Sequence, residues 1–142
     1  MIYLLDTNVV AELTTRPRPA PAVVTWARSV PAPDLRLSVI TIAEIEAGIA
    51  RTPDAERRIL FERALAAVRD VYSGRIVGIG EREASAYLDI HHRLKKTGVG
   101  IDPPDALIAA TAAAHGWTVA TRNVKHLVRT GALVLDPWQY AT

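Results

Sequence analysis

Short apolar runs alternate with segments of helical periodicity along this chain, and this alternation restricts the fold more than any other feature. Five runs have the length and composition of buried strands, at residues 2–5, 35–39, 76–79, 117–120 and 132–135. Strands separated by helices pair in parallel through right-handed crossovers, and the helices then cover both faces of the sheet. The sequence therefore predicts an α/β fold, a single domain with a mainly parallel central sheet of four to five strands flanked by helices.

Helical segments are expected between these strands, at residues 9–13, from Pro21 through Trp26, and at 41–50, 53–70, 81–96 and 103–115. Prolines at 17–21 and 31–33 interrupt the early helices because proline lacks the amide hydrogen that a helix needs. Thr7 or Asn8 is expected to cap the first helix, and Gly116 to end the last.

Three helices have an apolar stripe that is expected to face the core. In the helix at residues 41–50 the stripe is Ile42, Ile45 and Ile49. In the helix at 53–70 it is Ile59, Leu60, Ala64, Leu65 and Val68, and in the helix at 81–96 it is Ala84, Tyr87, Leu88, His91 and Leu94. Gly48 weakens the third helix by about 1 kcal/mol relative to alanine. It therefore predicts a close backbone approach on the side of Glu44.

Composition limits the kind of protein. A chain of 142 residues with 49% hydrophobic and 23% charged residues suits one folded domain, over residues 1–142. No stretch approaches the ~20 apolar residues of a membrane span, and the N-terminus does not have the pattern of a signal peptide. With no cysteine as well, the expected location is the cytoplasm. A net charge of +2 permits a polyanionic partner without requiring one.

Polar side chains lie where predicted strands end and where a buried helix begins. Asp6 directly follows the first strand, and Asn123 follows the fourth. Asp105 lies in the first turn of an alanine-rich helix that is apolar nearly all round, so its carboxylate is expected to face a cleft. Glu44 flanks the stripe of the third helix. Because ligands bind outside the carboxyl ends of parallel strands, these groups predict a site at that edge of the sheet.

Confined carboxylates cannot all ionise without a cation. Oxygen ligands favour hard ions, Mg²⁺ or Mn²⁺, and Mg²⁺ typically takes one or two carboxylates together with waters and substrate phosphate. The predicted chemistry is metal-assisted attack of water on a phosphodiester.

Each polar candidate also has a purely structural interpretation. Asp6 has the position of a helix cap, and taken alone it would more often be one. Asp102 fits an N-cap followed by Pro103, which would place Asp105 where an acid complements the helix dipole. Asn123 fits a turn or a cap.

Two pairs of nearby polar residues are interpreted as structural. His91 and His92 are neighbours on a helix and do not face each other, so His91 is expected to lie in the core and His92 in solvent. Glu44 and Glu46 cannot both point toward a site, so one of them is expected at the surface.

The order of these residues is similar to that of a known family. The segments Leu4–Glu12, Ser38–Ile45, Asp105–Ala112 and Ala120–Asn123 resemble the successive motifs of PIN domains, above all those of VapC-type toxins of bacterial toxin–antitoxin pairs. The closing residues Leu135–Trp138 also resemble the tail of that group. Each motif is weak alone, but the set covers essentially the whole chain in the right order.

The resemblance implies an endoribonuclease that depends on Mg²⁺ or Mn²⁺ and acts as the toxin of a type II toxin–antitoxin system. Asp6, Glu44 and Asp105 match the acidic positions of the family. Asp6 and Asp105 are expected to bind the metal directly. Glu44 is expected either to bind the metal as well or to contact one of its ligands. Where the family often has a fourth acid, this chain has Asn123, which favours one metal. A homodimer and a cognate antitoxin, in a heterotetramer or larger assembly, are also implied.

Several side chains near the proposed site are candidates for contacts with substrate. The hydroxyls of Thr7 and Thr121 can hydrogen-bond a carboxylate or a metal-bound water, or cap helices. Arg122, Lys125 and Arg129 can meet RNA phosphates or an antitoxin tail. The sequence leaves these alternatives open.

Other function classes use an aspartate after a strand. A haloacid-dehalogenase-like phosphatase needs a second acid two residues later, where this chain has Asn8. A receiver domain needs an acidic pair near the N-terminus and a lysine after a late strand, where this chain has Ala120 and Thr121. The non-enzymatic alternative is a catalytically weak PIN-like domain that binds RNA or a partner.

Overall fold

Five parallel strands form the central sheet of the protein, in a computed structural model that describes residues 1–141. The strands are β1 (Tyr3–Leu5), β2 (Leu35–Ser38), β3 (Ile76–Val77), β4 (Thr118–Ala120) and β5 (Leu133–Leu135). Their order across the sheet is β3-β2-β1-β4-β5, and each neighbouring pair is parallel. The predicted parallel α/β fold is confirmed.

The helices are α1 (Thr7–Thr14), α2 (Pro21–Ser29), α3 (Val39–Ala50), α4 (Ala55–Val71), α5 (Glu81–Lys96), α6 (Pro103–His115) and α7 (Val124–Val128). Two 3-10 turns, Ala32–Asp34 and Pro137–Gln139, complete the regular structure of residues 1–141. The sequence patterns predict neither α7 nor the 3-10 turns, because segments this short do not establish a period.

The helices cover both faces of the sheet. Leu5 packs with apolar residues of α1 to α4, including Val10 and Trp26. Leu4 points to the opposite face and packs with residues of α5 to α7, such as Ile108. This division follows from the alternation of side chains along a strand, which sends neighbouring residues to opposite sides.

The strand order of the sheet reverses direction between β1 and its neighbour β4. From β1 the chain moves outward through β2 and β3, whereas β4 and β5 lie on the other side of β1. Such a reversal opens a crevice at the carboxyl ends of the two strands. The backbone amide of Asp6 donates to the carbonyl of Ala120 over 2.9 Å, so the residues that follow β1 and β4 lie side by side.

Two predicted boundaries near the site are wrong. The second strand ends at Ser38, not at Val39, because the Ser38 side chain accepts a hydrogen bond from the Ile40 amide and starts α3. The first helix begins at Thr7, and its N-cap is Asp6 rather than Thr7 or Asn8. In both places a polar side chain accepts a free amide hydrogen at the helix start.

The predicted stripe of α3 is confirmed, since Ile42 and Ile49 are buried and Ile45 packs against them. Gly48 has nothing within 4 Å of the position that a Cβ atom would occupy, so the predicted close approach is wrong. In α4 the predicted stripe is confirmed at Leu65 and Val68, which are buried in the core, and Phe61 packs against the same core. Ile59 and Leu60 are 48% and 61% exposed, contrary to prediction.

The predicted inner face of α5 is confirmed at Leu94, which is buried, and at Tyr87, which packs against the core, but it is wrong at its other three positions. Ala84, Leu88 and His91 are exposed, and the buried residues of this helix are Glu83, Ile90 and Leu94. Two overlapping sets of residues have helical spacing along α5. The packing of α5 on α6 decides which set is buried. Among residues 1–141, no helix combines the length and hydrophobicity that crossing a membrane would need.

Candidate functional site

Asp6 lies at the carboxyl end of β1 and is only 4% exposed. Its Oδ1 accepts a hydrogen bond from the Thr7 amide over 2.8 Å. Its Oδ2 accepts one from the Thr121 hydroxyl over 2.7 Å and a longer one from Asn8 Nδ2 over 3.3 Å. Asp6 thus caps α1, as its structural interpretation expected, but most of its contacts come from side chains that lock the carboxylate in one orientation.

Thr121 joins the ends of β1 and β4. Besides donating to Asp6, its hydroxyl oxygen accepts the amide of Asn123 over 2.9 Å and Nδ2 of Asn8 over 3.3 Å. The Asn8 side chain in turn accepts the amide of Arg122 over 3.2 Å. Sequence reasoning used Asn8 only to argue against a phosphatase. Its position two residues after Asp6, on the first turn of α1, is the signal that it would contact Asp6.

Glu44 is held by the hydroxyl of Thr7, which donates to Glu44 Oε1 over 2.6 Å. This is one of the two roles that the sequence left open for Thr7. Glu46, two residues further along α3, lies at the surface and pairs with Arg69 at 3.3 Å. Of the two acids, therefore, Glu44 faces the candidate site.

Asp105 lies in the first turn of α6, where its Oδ2 accepts a hydrogen bond from Asn123 Nδ2 over 3.2 Å. The pKa of Asp105 is raised to about 6, first by burial and then by the negative charges of Asp6, Glu44 and Asp102, while His126 lowers it. The structure thus brings Asp6 and Glu44 close enough to Asp105 for their charges to act on it. This is the arrangement that the sequence predicted for the edge of the sheet.

Asp102 has the N-cap position of α6 that was predicted for it. Its side chain, however, makes no capping hydrogen bond, so its charge remains available to act on Asp105. Asp102 and Asp105 line one cleft of about 440 Å³ together with Asn123, His126 and the loop residues Gly100 and Ile101.

Sequence reasoning missed His126. This residue lies in α7, three residues after Asn123, and its Nδ1 contacts Oδ1 of Asn123. Because α7 itself was not predicted, the i, i+3 spacing from Asn123 to His126 was not interpreted as a helical contact. It is the signal in the sequence that could have identified this histidine.

The basic candidates lie at the edge of the site. The Arg122 guanidinium lies over the ring of Trp138, 5.1 Å from its centroid. Lys125 and Arg129 are exposed on α7 and immediately after it. Within the described part of the chain, none of the three forms an ion pair with Asp6, Glu44 or Asp105.

The donor atoms at this site suit a hard divalent ion. The three acids supply carboxylate oxygens, and the charges of Asp6 and Glu44 act together with burial to raise the pKa of Asp105. Within residues 1–141, no three histidine, aspartate or glutamate side chains converge to form a complete ligand set. Mg²⁺ commonly takes one or two carboxylates and retains several waters. Asp6 and Asp105 therefore fit such an ion, with Glu44 beside them.

The raised pKa of Asp105 predicts that the metal-free protein loses stability as the pH rises through about 6. The folded state holds this proton more tightly than the unfolded chain, in which the pKa is near 3.8. The stabilisation is therefore complete below about 4 and lost above about 6. Thermal unfolding in EDTA across this range should show a component that is absent in Asp105→Asn. The same pH dependence in both proteins would contradict the assignment.

Comparisons with known proteins agree with this arrangement. The family model described as PIN domain matches residues 3–132. Toxin FitB of Neisseria gonorrhoeae (strain ATCC 700825 / FA 1090) is 38% identical over 138 residues, which cover 96% of this chain and 99% of that protein. VapC ribonuclease Y4jK of Sinorhizobium fredii is 36% identical over 141 residues, covering 99% of this chain and 100% of that protein.

Solved structures agree as well. The crystal structure of FitAcB from Neisseria gonorrhoeae has a TM-score of 0.88 and 37% identity, covering 97% of this chain and 99% of that one. A toxin-antitoxin complex from Klebsiella pneumoniae has a TM-score of 0.68 and 25% identity, covering 95% and 97%. The order of the acidic motifs, the parallel sheet and these matches lead to one conclusion: the chain belongs to the PIN domain family.

Proposed function

We propose that this protein is an Mg²⁺-dependent endoribonuclease and the toxin of a toxin–antitoxin pair. The observation that carries the proposal is the meeting of Asp6, Glu44 and Asp105 at the reversal point of the sheet, where the pKa of Asp105 is raised to about 6. Supporting it, one relative is named a toxin and another a VapC ribonuclease. Mn²⁺ has the same preference for oxygen ligands and is expected to substitute.

In this proposal Asp6 and Asp105 hold the ion, and Glu44 lies beside them. When bound, the ion supplies Lewis-acid activation of water and stabilises the charge that develops on the phosphodiester. The protein's own contribution is orientation. Thr121 and the Thr7 amide fix the Asp6 carboxylate, the Thr7 hydroxyl fixes Glu44, and Asn123 fixes Asp105. Each acid therefore has a hydrogen-bond donor that limits its rotation before substrate arrives.

Asn123 has the position at which related proteins often carry a fourth acid, but its amide nitrogen faces Asp105. It therefore acts on Asp105 as a hydrogen-bond donor, without adding charge. A single Mg²⁺ at Asp6 and Asp105 is the stoichiometry that this arrangement favours. Metal titration of the wild-type protein by calorimetry measures it directly.

The proposal includes a cognate antitoxin and a homodimer, assembled as a heterotetramer or larger. A solved structure of similar fold is described as a toxin-antitoxin complex. Apolar side chains of the kind that interfaces cover are exposed on α4 and α5, namely Ile59, Leu60 and Leu88. Arg122 and Lys125 flank the site and are proposed to contact RNA phosphates or the antitoxin. Light scattering of the purified protein tests the dimer.

Cleavage of total cellular RNA tests the central proposal. Purified protein, free of antitoxin, is incubated with Mg²⁺ or Mn²⁺ and in parallel with EDTA. Discrete fragments that form only with the metal are expected, and their sequences reveal the class of RNA that is cut. Tight RNA binding by folded, metal-loaded protein without cleavage would instead support the binding-only alternative.

A further inference from the structure

A chain of two contacts leads from Asp105 to His126. Asn123 donates its Nδ2 to Asp105 Oδ2 over 3.2 Å, and its Oδ1 contacts His126 Nδ1. The orientation of the amide follows from its partner, because an ionised carboxylate can only accept a hydrogen bond. The nitrogen of Asn123 must therefore face Asp105, and its oxygen must face the histidine.

This orientation sets the tautomer of His126. An amide oxygen is only an acceptor, so Nδ1 must carry the proton in the contact with Asn123. In the neutral ring, Nε2 is then an acceptor with a free lone pair. Within residues 1–141, Nε2 has no hydrogen-bond partner, although the ring lines the same cleft as Asp102 and Asp105. In the neutral ring, this nitrogen can therefore accept a hydrogen bond from a donor on a molecule bound in the cleft.

We propose that His126 is a specificity-determining residue whose Nε2 accepts a hydrogen bond from a ribose 2′-hydroxyl of the bound RNA. The inference rests on the proposed ribonuclease function. A phosphate carries no donor, whereas the 2′-hydroxyl is a donor close to its own backbone phosphate. This hydroxyl is also the group by which a protein distinguishes RNA from DNA at a given site. A phosphate beside Asp105 would bring its adjoining ribose toward His126, because the two residues line the same cleft.

The first test is the tautomer of His126 in the metal-free protein. Nitrogen-15 NMR of the imidazole, at a pH that keeps the ring neutral, is expected to show the proton on Nδ1. In Asn123→Ala the proton should move largely to Nε2, because the acceptor is gone. A wild-type ring protonated on Nε2, or a tautomer unchanged by Asn123→Ala in a folded variant, would overturn the proposal.

The second test measures recognition of the hydroxyl. An RNA that the enzyme cuts is compared with copies carrying a single 2′-deoxy substitution at each nucleotide flanking the cleaved bond. One such substitution is expected to slow wild-type single-turnover cleavage by about five- to tenfold, the size of one hydrogen bond. His126→Ala should lose a similar factor on RNA and become insensitive to that substitution. His92→Ala, which removes an exposed histidine on α5, should retain wild-type sensitivity.

The outcomes separate the two proposals. If His126→Ala and the 2′-deoxy substitution each slowed cleavage independently of the other, the histidine would contact something other than this hydroxyl, such as water. That result overturns the inference while leaving metal-dependent cleavage intact. No metal-dependent cleavage by the wild-type protein would contradict the proposed function, and the inference with it.

Discussion

Asp105→Asn is expected to reduce metal-dependent RNA cleavage by about 10²- to 10³-fold, the range found when an enzyme loses a group that stabilises developing charge. Asp105 is proposed to hold the ion directly, and an amide oxygen binds Mg²⁺ far less strongly than a carboxylate does. The fold should survive, because the new amide oxygen can still accept the hydrogen bond from Asn123. Single-turnover cleavage with saturating Mg²⁺ measures the effect.

The same substitution should stabilise the metal-free protein near neutral pH. It removes a carboxylate whose pKa is raised by burial and by three neighbouring acids, so an unfavourable ionisation in the folded state disappears. A higher midpoint of thermal unfolding in EDTA, together with lost cleavage, separates a role in the site from a loss of folding. Asp6→Asn should also lose cleavage.

A matched control is Asp89→Asn. The Asp89 side chain is 75% exposed on α5, and within residues 1–141 its one ion pair is with Arg93, at 3.6 Å. This variant should cleave RNA like the wild-type protein. If Asp105→Asn cleaved RNA as fast as Asp89→Asn does, the metal assignment would be wrong, and the binding-only alternative would gain support.

Thr121→Val is expected to lower the free energy of unfolding by about 2 kcal/mol and to weaken Mg²⁺ binding by about 10- to 100-fold. Valine has nearly the shape of threonine but has no hydroxyl. Asp6 would lose its 2.7 Å hydrogen bond while remaining buried, and the Asn123 amide would lose its acceptor. The carboxylate would then rotate more freely and meet the ion in fewer productive orientations. Urea unfolding and calorimetric metal titration measure the two effects.

Thr111→Val is the control for this pair of measurements. Thr111 is fully buried in α6, where its hydroxyl donates to the Leu107 carbonyl within the same helix. Its loss is expected to change stability modestly and to leave the affinity for Mg²⁺ unchanged. A Thr121→Val protein that is destabilised but binds Mg²⁺ like the wild type would reduce Thr121 to a structural role.

The acidic positions were predictable because each is tied to a local feature of the chain. Asp6 follows an apolar strand directly, and Asp105 lies in the first turn of a helix that is apolar nearly all round. Since the carboxyl ends of parallel strands meet at one edge, local order was enough to predict that these side chains would meet. Hydrogen bonding at the helix starts was less predictable. Asp6 and Ser38 cap helices that were expected to begin later.

Contacts between segments that are distant in the chain could not be predicted from the sequence pattern. Asp6 and Thr121 are 115 residues apart in the chain, and their hydrogen bond depends on β1 and β4 being neighbours. The inner face of α5 was predicted correctly only at Tyr87 and Leu94, because residues of two overlapping series fit a helical stripe equally well. Only contact with α6 buried Ile90 and exposed Leu88.

The sequence alone determined the alternation of strands and helices, the parallel sheet and the acids at its carboxyl edge, because periodicity and chain order are local properties. The tertiary structure decided which way the polar side chains point. It turned the Asn123 amide nitrogen toward Asp105 and brought His126 into the cleft. It also left the Asp102 side chain without a capping hydrogen bond to α6. Those orientations depend on which donors and acceptors the fold brings within about 3 Å of one another, and hydrogen bonding acts only over such distances.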